Sequence, residues 1–206
     1  MSAVRRITAA LVAIAATASL AAAAPVKYTV DLPHSEIGFD IRHFFSKVHG
    51  RFNTFQGTIV FDDKTPANIS VDATADAKTI WTDNDKRDAH LRSADFFAAD
   101  SFPTLSFKST GVTAAGDKKY KIAGNLTMRG VTRPVVFDAE FLGAGQVGAG
   151  GQSWGAKAGF TATTVIDRQD FNIKWNKTLD NGGLMLDDKV TLVLNLEANQ
   201  VADTAK

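Results

Sequence analysis

Residues 55–61 read Phe-Gln-Gly-Thr-Ile-Val-Phe, in which every second residue from Phe55 is apolar or glycine. Successive side chains of a β-strand point to opposite faces, so this alternation is typical of a half-buried strand. The same pattern recurs at residues 37–43, 69–75, 105–109, 120–126, 135–141, 154–165 and 190–196. Eight or so such segments, joined by turns that contain glycine and aspartate, predict an antiparallel barrel or sandwich.

The strand pattern has one long interruption, between Trp81 and Pro103. Asp83 can cap a helix there, good helix formers follow it, and Pro103 prevents the helix from continuing. We therefore predict one or two short helices around residues 83–99, laid across an opening of the β-structure. The glycine-rich stretch 143–151 is predicted to be a flexible hairpin loop instead.

Residues 1–23 have the pattern of a secretory signal peptide. Arg5 and Arg6 precede an apolar stretch that ends in small residues, as in signals of the Sec type. Residues 24–206 are predicted to form a single domain, since no linker or internal repeat divides them. No later stretch is apolar enough to span a bilayer. We expect a periplasmic protein, with secretion from the cell as the other destination that such a signal allows.

Composition excludes several classes of function. Without Arg5 and Arg6, 21 basic residues face 22 acidic ones, whereas a nucleic-acid binder needs a basic surface. The chain has no cysteine, which removes disulfides, zinc–thiolate sites and thiol catalysis. Fourteen phenylalanines against two tyrosines supply rings without hydroxyl groups. Such rings suit either a filled barrel core or the wall of a cavity, and composition leaves both open.

The histidines are the candidates for catalysis or metal binding. They are His34, His43, His49 and His90, and their spacing matches no compact metal motif. A metal-assisted hydrolase or isomerase using His34, His43 and His90 is the enzyme alternative. Asp88 and His90 cannot face each other on a helix, and no Gly-x-Ser-x-Gly motif occurs. We therefore expect no catalytic site, no metal site and no cofactor.

Seven segments, in order from about Val26 to Asn199, resemble the YceI-like family of exported, lipocalin-like, polyisoprenoid-binding proteins. The most specific is residues 87–97, Arg-Asp-Ala-His-Leu-Arg-Ser-Ala-Asp-Phe-Phe. The others are 31–35 (Asp-Leu-Pro-His-Ser), 50–52 (Gly-Arg-Phe), 55–57 (Phe-Gln-Gly), 102–103 (Phe-Pro), 124–132 (Gly-Asn-Leu-Thr-Met-Arg-Gly-Val-Thr) and 167–171 (Asp-Arg-Gln-Asp-Phe). One departure is Asn172, where many members have glycine.

The resemblance implies an extended eight-stranded antiparallel lipocalin-like barrel with the inserted helix between strands. It also implies a carrier that holds a polyisoprenoid or similar long-chain amphiphile, such as a polyprenyl phosphate or isoprenoid quinone, without catalysis. Stress-related sequestration of small hydrophobic compounds is the alternative among binding functions. Barrel edges and an aromatic-rich surface also leave room for a homodimer.

The candidate ligand-binding residues form two sets. The apolar set is expected to line the barrel interior: Phe39, Ile41, Phe55, Phe96, Phe97, Phe107, Phe137, Phe160 and Phe171. The polar set is His43, Arg87, His90, Arg92, Arg168 and Asp170. Charged side chains that are partly buried need a partner, which can be a ligand or another residue of the protein. The polar set is therefore expected either to contact a ligand's head group or to lock the helical lid.

Overall fold

The computed structural model describes residues 24–180 and 182–202, and the predicted signal peptide lies outside them. Within this part of the chain there are eleven strands and one α-helix. The strands are β1 (Val26–Val30), β2 (Glu36–His43), β3 (Ser46–Phe52), β4 (Phe55–Phe61), β5 (Ser70–Asp76), β6 (Ile80–Trp81), β7 (Thr104–Gly116), β8 (Lys119–Met128), β9 (Val131–Ala149), β10 (Gln152–Asp167) and β11 (Leu186–Gln200), and the helix is α1 (Asp85–Arg92).

The strands form a closed antiparallel barrel of eight positions. β1 pairs with both β4 and β11, which closes the ring β1-β4-β5-β7-β8-β9-β10-β11. β2 continues β1 along β11, β3 pairs with β2, and β6 pairs with β3. Three of the eight barrel positions therefore consist of two segments each: β1 with β2, β4 with β3, and β5 with β6. Closure leaves the ring without the free edges at which sheets aggregate, and the predicted eight-stranded barrel is confirmed.

The insert between β6 and β7 forms one helix rather than two. Residues 93–97 after α1 are a series of turns. The predicted cap is wrong by one residue: the side chain of Asn84, not Asp83, accepts a hydrogen bond from the N–H of Arg87 at 3.0 Å. Asp83 instead has a left-handed φ of 61°. After the turns, Phe96 and Phe97 pack over the barrel end, and the Phe97 ring meets the Phe52 ring edge-on at 5.7 Å.

The glycine-rich stretch 143–151 is mostly strand, and its prediction as a flexible loop was wrong. β9 and β10 stay paired as far as Ala149 and Gln152. Gly150 and Gly151 alone make the turn, with φ of 60° and 81°, the combination that a two-residue hairpin turn requires. The prediction failed because pairing with β10, which is a tertiary contact, overrides the weak strand propensity of glycine.

Apolar side chains collect at the two ends of the barrel. One cluster, near α1, includes Phe39, Phe52, Phe96 and Phe171. The other closes the far end with a group of rings: Tyr28, Phe61, Tyr120, Phe141 and Phe160. No helix among the described residues has the length and apolarity needed to cross a membrane.

Candidate ligand-binding cavity

A cavity of about 500 Å³ runs between the two clusters. Its wall is made almost entirely of aliphatic and aromatic side chains. Phe55 and Phe61, at opposite ends of β4, both line it. Since a strand rises about 3.3 Å per residue, the cavity extends for about 20 Å along β4. A space of this shape suits an elongated apolar molecule better than a compact one.

Packed rings close the far end of the cavity. The Phe61 ring lies 4.3 Å from that of Phe141 and 5.7 Å from that of Tyr120. Burial, together with the nearby carboxylates of Asp63 and Asp117, raises the pKa of the Tyr120 phenol. The Tyr120 phenol is therefore neutral at neutral pH, and the packed rings offer a ligand's charged group no counter-charge in exchange for its hydration.

Buried polar groups fasten α1 to the strand before it. Thr82 and Asp88 are each 3% exposed. The Thr82 hydroxyl donates to Asp88 Oδ1 at 2.5 Å and accepts from Arg87 Nε at 2.7 Å, and Arg87 Nη2 donates to the Thr82 carbonyl at 2.5 Å. Each buried group thus has a partner, as stability requires. The Arg-Asp pair that opens the most specific family segment therefore holds the lid in place.

Arg168 is also held by the protein. It is 3% exposed, and its guanidinium donates to the carbonyls of Ile173, Trp175 and Asp187 at 2.7–2.9 Å. A fourth bond, 2.8 Å long, reaches the Asp188 carboxylate. Of the two roles that the sequence left open for this arginine, the geometry favours the structural one. It fixes the segment that carries Trp175 against the lid.

The ionisable side chains that line the lid end of the cavity are basic. His90 Nε2 lies 2.8 Å from Asp95 Oδ2, and its ring meets those of Phe96 and Trp175 at 4.9 Å each. The His43 ring packs on Phe44 at 4.2 Å. Lys86 also lines the cavity, and its ammonium has no ion-pair partner among the described residues. An anionic group at this end would therefore meet a positive charge that is still unpaired.

Most of the predicted ligand-binding residues lie together on the cavity wall. They are Phe39, Ile41, His43, Phe55, Arg87, His90, Phe96, Phe97, Phe107, Phe137, Phe160 and Arg168. Arg92 does not line the cavity and instead donates to the Ile80 carbonyl at 3.4 Å. Asp170 and Phe171 border a separate outer groove between β9 and β10. Phe171 is 1% exposed and belongs to the core.

Several cavity residues were missed from the sequence. Lys86 precedes His90 by four residues on α1 and shares its face, so helical spacing was a usable signal. Phe61 and Phe141 continue the alternating faces that begin with Phe55 and Phe137. Trp175 lies in an irregular segment without periodicity, so no sequence pattern points to it.

The histidines do not gather into a metal site. Within residues 24–180 and 182–202, one group of three ligand-type side chains converges, and it consists of Asp31, His34 and Glu197. The Lys157 ammonium already lies 2.8 Å from Asp31 Oδ2 and 2.7 Å from Glu197 Oε1. His43 and His90 belong to no such group in this part of the chain. The hydrolase or isomerase alternative therefore lacks the three-histidine cluster on which it depended.

Comparison with known proteins identifies the family. The model of the YceI-like domain matches residues 28–198. The chain belongs to the YceI-like family. A UPF0312 protein of Vibrio vulnificus is 41% identical over 155 residues, which are 74% of this chain and 80% of the relative. One from Photorhabdus laumondii is 39% identical over 172 residues, 82% of this chain and 84% of the relative.

Solved structures share the barrel. The YceI protein of Campylobacter jejuni is 30% identical with a TM-score of 0.65, covering 78% of this chain and 90% of that one. Burkholderia cenocepacia BcnA, at 24% identity and a TM-score of 0.71, covers 82% and 99%. A polyisoprenoid binding domain from Saccharophagus degradans, at 13% identity and a TM-score of 0.62, covers 85% and 99%. The last two show likeness of fold.

Proposed function

We propose that this YceI-like chain is an exported carrier that holds a polyisoprenoid or similar long-chain amphiphile inside its barrel. The supporting observation is the elongated apolar cavity of about 500 Å³, closed at one end by rings and bordered at the other by polar groups. Each methylene buried there contributes roughly 0.8 kcal/mol, so a long chain can be held by apolar area alone. The Saccharophagus neighbour with the same barrel is a polyisoprenoid binding domain, which supports the proposal.

The polar lid end favours an amphiphile with an anionic head group, such as a polyprenyl phosphate. A phosphate placed beside Lys86 would gain a charge-assisted hydrogen bond without displacing an existing ion pair. An isoprenoid quinone would use the same apolar wall but gain less from this lysine. Export remains part of the proposal and relies on the signal-like residues 1–23.

The proposal is tested first by what the protein carries. Protein purified from the periplasm of its own host would be extracted and its lipids identified by mass spectrometry. We expect a polyprenyl phosphate or quinone in near-stoichiometric amount. Absence of any long-chain lipid, together with failure to bind polyprenyl phosphate in vitro, would refute the carrier function.

A substitution that fills the cavity gives the second test. Ala162 lines the cavity midway along β10, whereas its neighbour Thr163 is exposed on the outer face. Ala162→Phe would place a ring in the path of the ligand, and we expect affinity for polyprenyl phosphate to fall at least about tenfold. Thr163→Phe adds the same ring outside the barrel and should leave the affinity unchanged. Equal affinities in a fluorescent-hydrophobe displacement assay would contradict an internal site.

A further inference from the structure

Two joined loops at the lid end of the barrel expose apolar side chains. In the turn between β2 and β3, Phe45 is fully exposed, at 101%. In the segment before β11, Leu184 is 54% exposed. The N–H of Phe44 donates to the Met185 carbonyl at 3.1 Å, which ties the two loops together. We call residues 44–45, 174–180 and 182–185 the mouth loops.

The exposure of Phe45 has no explanation in folding. The turn holds two residues, and Phe44 has a left-handed φ of 51°. Hairpin turns of this length favour glycine or asparagine at such positions, because an aromatic residue is strained there. An Asn-Gly turn would close the hairpin with less strain and without exposing a ring. A strained turn that also exposes a ring therefore points to a surface that is covered when the protein works.

The surroundings of the two apolar side chains are positively charged. Three exposed lysines, none of them ion-paired with a described residue, lie in or beside the mouth loops: Lys47, Lys174 and Lys177. Asp180 is the acid within these loops, and the nearby Asp187 is neutralised by Arg42 at 3.3 Å. Lysines around an apolar tip match the anionic head groups of a bilayer, which attract each nearby basic residue.

The mouth loops are continuous with the cavity. Met185 and His43, the residues that adjoin Leu184 and Phe44, both line it. A lipid surface that covers Phe45 and Leu184 would therefore lie against this end of the cavity. We propose that the mouth loops dock onto the surface of a bilayer that contains anionic phospholipids, with Phe45 and Leu184 entering the interface.

The chemistry of these loops favours a bilayer over a protein partner. Protein interfaces bury a continuous apolar core from which lysine is depleted. Here two separate apolar side chains project among lysines, the arrangement by which peripheral proteins attach reversibly to membranes. The advantage of such docking rests on the proposed function, because a carrier must exchange its lipid with a membrane.

Vesicle sedimentation of the mature protein tests the docking. We expect it to bind vesicles of phosphatidylethanolamine and phosphatidylglycerol, to bind phosphatidylcholine vesicles at least fivefold less, and to dissociate in 0.5 M NaCl. Phe45→Ser should reduce the bound fraction at least about fivefold by removing the apolar anchor. Lys47→Glu should do the same through charge reversal.

Matched controls come from elsewhere on the barrel. Val165 is 60% exposed on the outer wall, and Lys119 is exposed next to Tyr120 at the closed end. Val165→Ser and Lys119→Glu should bind vesicles as the unmodified protein does. Docking is overturned if the unmodified protein stays in the supernatant or if Phe45→Ser binds equally well. It is also overturned if Phe45 instead supports a dimer, detected by ultracentrifugation, in a protein that does not bind vesicles.

A parallel measurement distinguishes docking onto a bilayer from lipid binding in the cavity. Polyprenyl phosphate binding in vesicle-free solution should be the same for Phe45→Ser and the unmodified protein, since Phe45 does not line the cavity. Vesicle binding without polyprenyl phosphate binding would refute the carrier function while leaving the docking surface in place. Polyprenyl phosphate binding without vesicle binding would refute the docking surface while leaving the carrier function in place.

Discussion

At the scale of single residues, two glycines determine the shape of the cavity wall. A Cβ at Gly124 would lie 2.4 Å from the Phe107 ring and 2.6 Å from the Lys108 carbonyl oxygen. A Cβ at Gly50 would lie 2.3 Å from the Phe39 ring, across the β2–β3 ladder. Two phenylalanines of the wall thus lie flat on glycine backbone. The glycines of two family segments are therefore explained by close approach of rings.

Gly124→Ala tests this account. The added methyl must displace the Phe107 ring or the β7 backbone, and overpacking of this kind costs about 1–3 kcal/mol. We expect the free energy of unfolding in urea to fall by that amount. Gly111→Ala is the matched control, because a Cβ there has no atom within 4 Å. It should change stability by less than about 0.5 kcal/mol, and equal losses in both variants would contradict the packing explanation.

Asn172 shows how a departure from the family pattern is accommodated. It ends the 3-10 turn Arg168–Phe171 with φ of 61° and ψ of 18°, a left-handed conformation. Glycine adopts this conformation freely, and asparagine tolerates it better than other residues with side chains. Asn172 is thus a residue that can hold this turn in place of the glycine that the resemblance leads us to expect.

At the scale of elements, the lid contains residues that hold it in place and residues that border the cavity. Thr82, Arg87 and Asp88 form hydrogen bonds with one another, whereas Lys86 borders the cavity and forms no ion pair with a described residue. Arg129 adds a second attachment, donating to the Ala94 carbonyl at 2.7 Å and to that of Asn172. The lid is therefore fastened at the start of α1 and again in the turns that follow the helix.

Lys86→Gln tests the role of the lid in recognising the head group. Loss of the positive charge removes a charge-assisted bond to phosphate, worth about 1.5–3 kcal/mol. We expect affinity for polyprenyl phosphate to fall at least about tenfold and affinity for the uncharged polyprenol to stay the same. Lys119→Gln, which removes a charge at the closed end, should affect neither. Equal losses for both ligands would assign Lys86 a merely structural role.

The elements that sequence predicts well are those whose pattern is local. Residues 55–61 alternate in burial as they alternate in polarity, and His43 lines the cavity with the other predicted members of its face, Ile37, Phe39 and Ile41. The strand nature of residues 143–149 depends on pairing with β10, and the position of Trp175 depends on Arg168. Such tertiary contacts leave no periodic trace in the sequence.

At the scale of the whole molecule, the barrel closes where its first strand breaks. The N–H of Asp31 donates to the Glu197 carbonyl at 2.8 Å. The Ser35 hydroxyl donates to the same carbonyl and accepts from the Glu197 N–H, each at 3.0 Å. Lys157 of the adjacent β10 bridges the carboxylates of Asp31 and Glu197. Asp31, Ser35, Lys157 and Glu197, here called the closure cluster, therefore join three barrel positions.

The closure cluster makes stability depend on pH. Hydrogen bonding to Lys157 lowers the pKa of Asp31 despite its partial burial, and the two carboxylates raise the pKa of Lys157. Asp31 thus adds stability above its unfolded pKa of about 3.9, which is lost as pH falls through its lower folded value. Lys157 adds stability below its unfolded pKa of about 10.4, which is lost as pH rises through its higher folded value.

Lys157→Met tests whether this cluster stabilises barrel closure. The variant keeps the aliphatic stem but leaves the two carboxylates, beside the exposed His34 ring, without the ammonium between them. We therefore expect its urea midpoint at pH 7 to lie clearly below that of the unmodified protein. The difference should shrink as pH falls below about 4, because protonated carboxyls no longer need the ammonium. Lys108→Met is the control: its ion pair with Asp72 spans 3.9 Å, with side chains 79% and 62% exposed, and contributes little at any pH. A difference between Lys157→Met and the unmodified protein that is the same at pH 3 and pH 7 would show that Lys157 acts through packing alone.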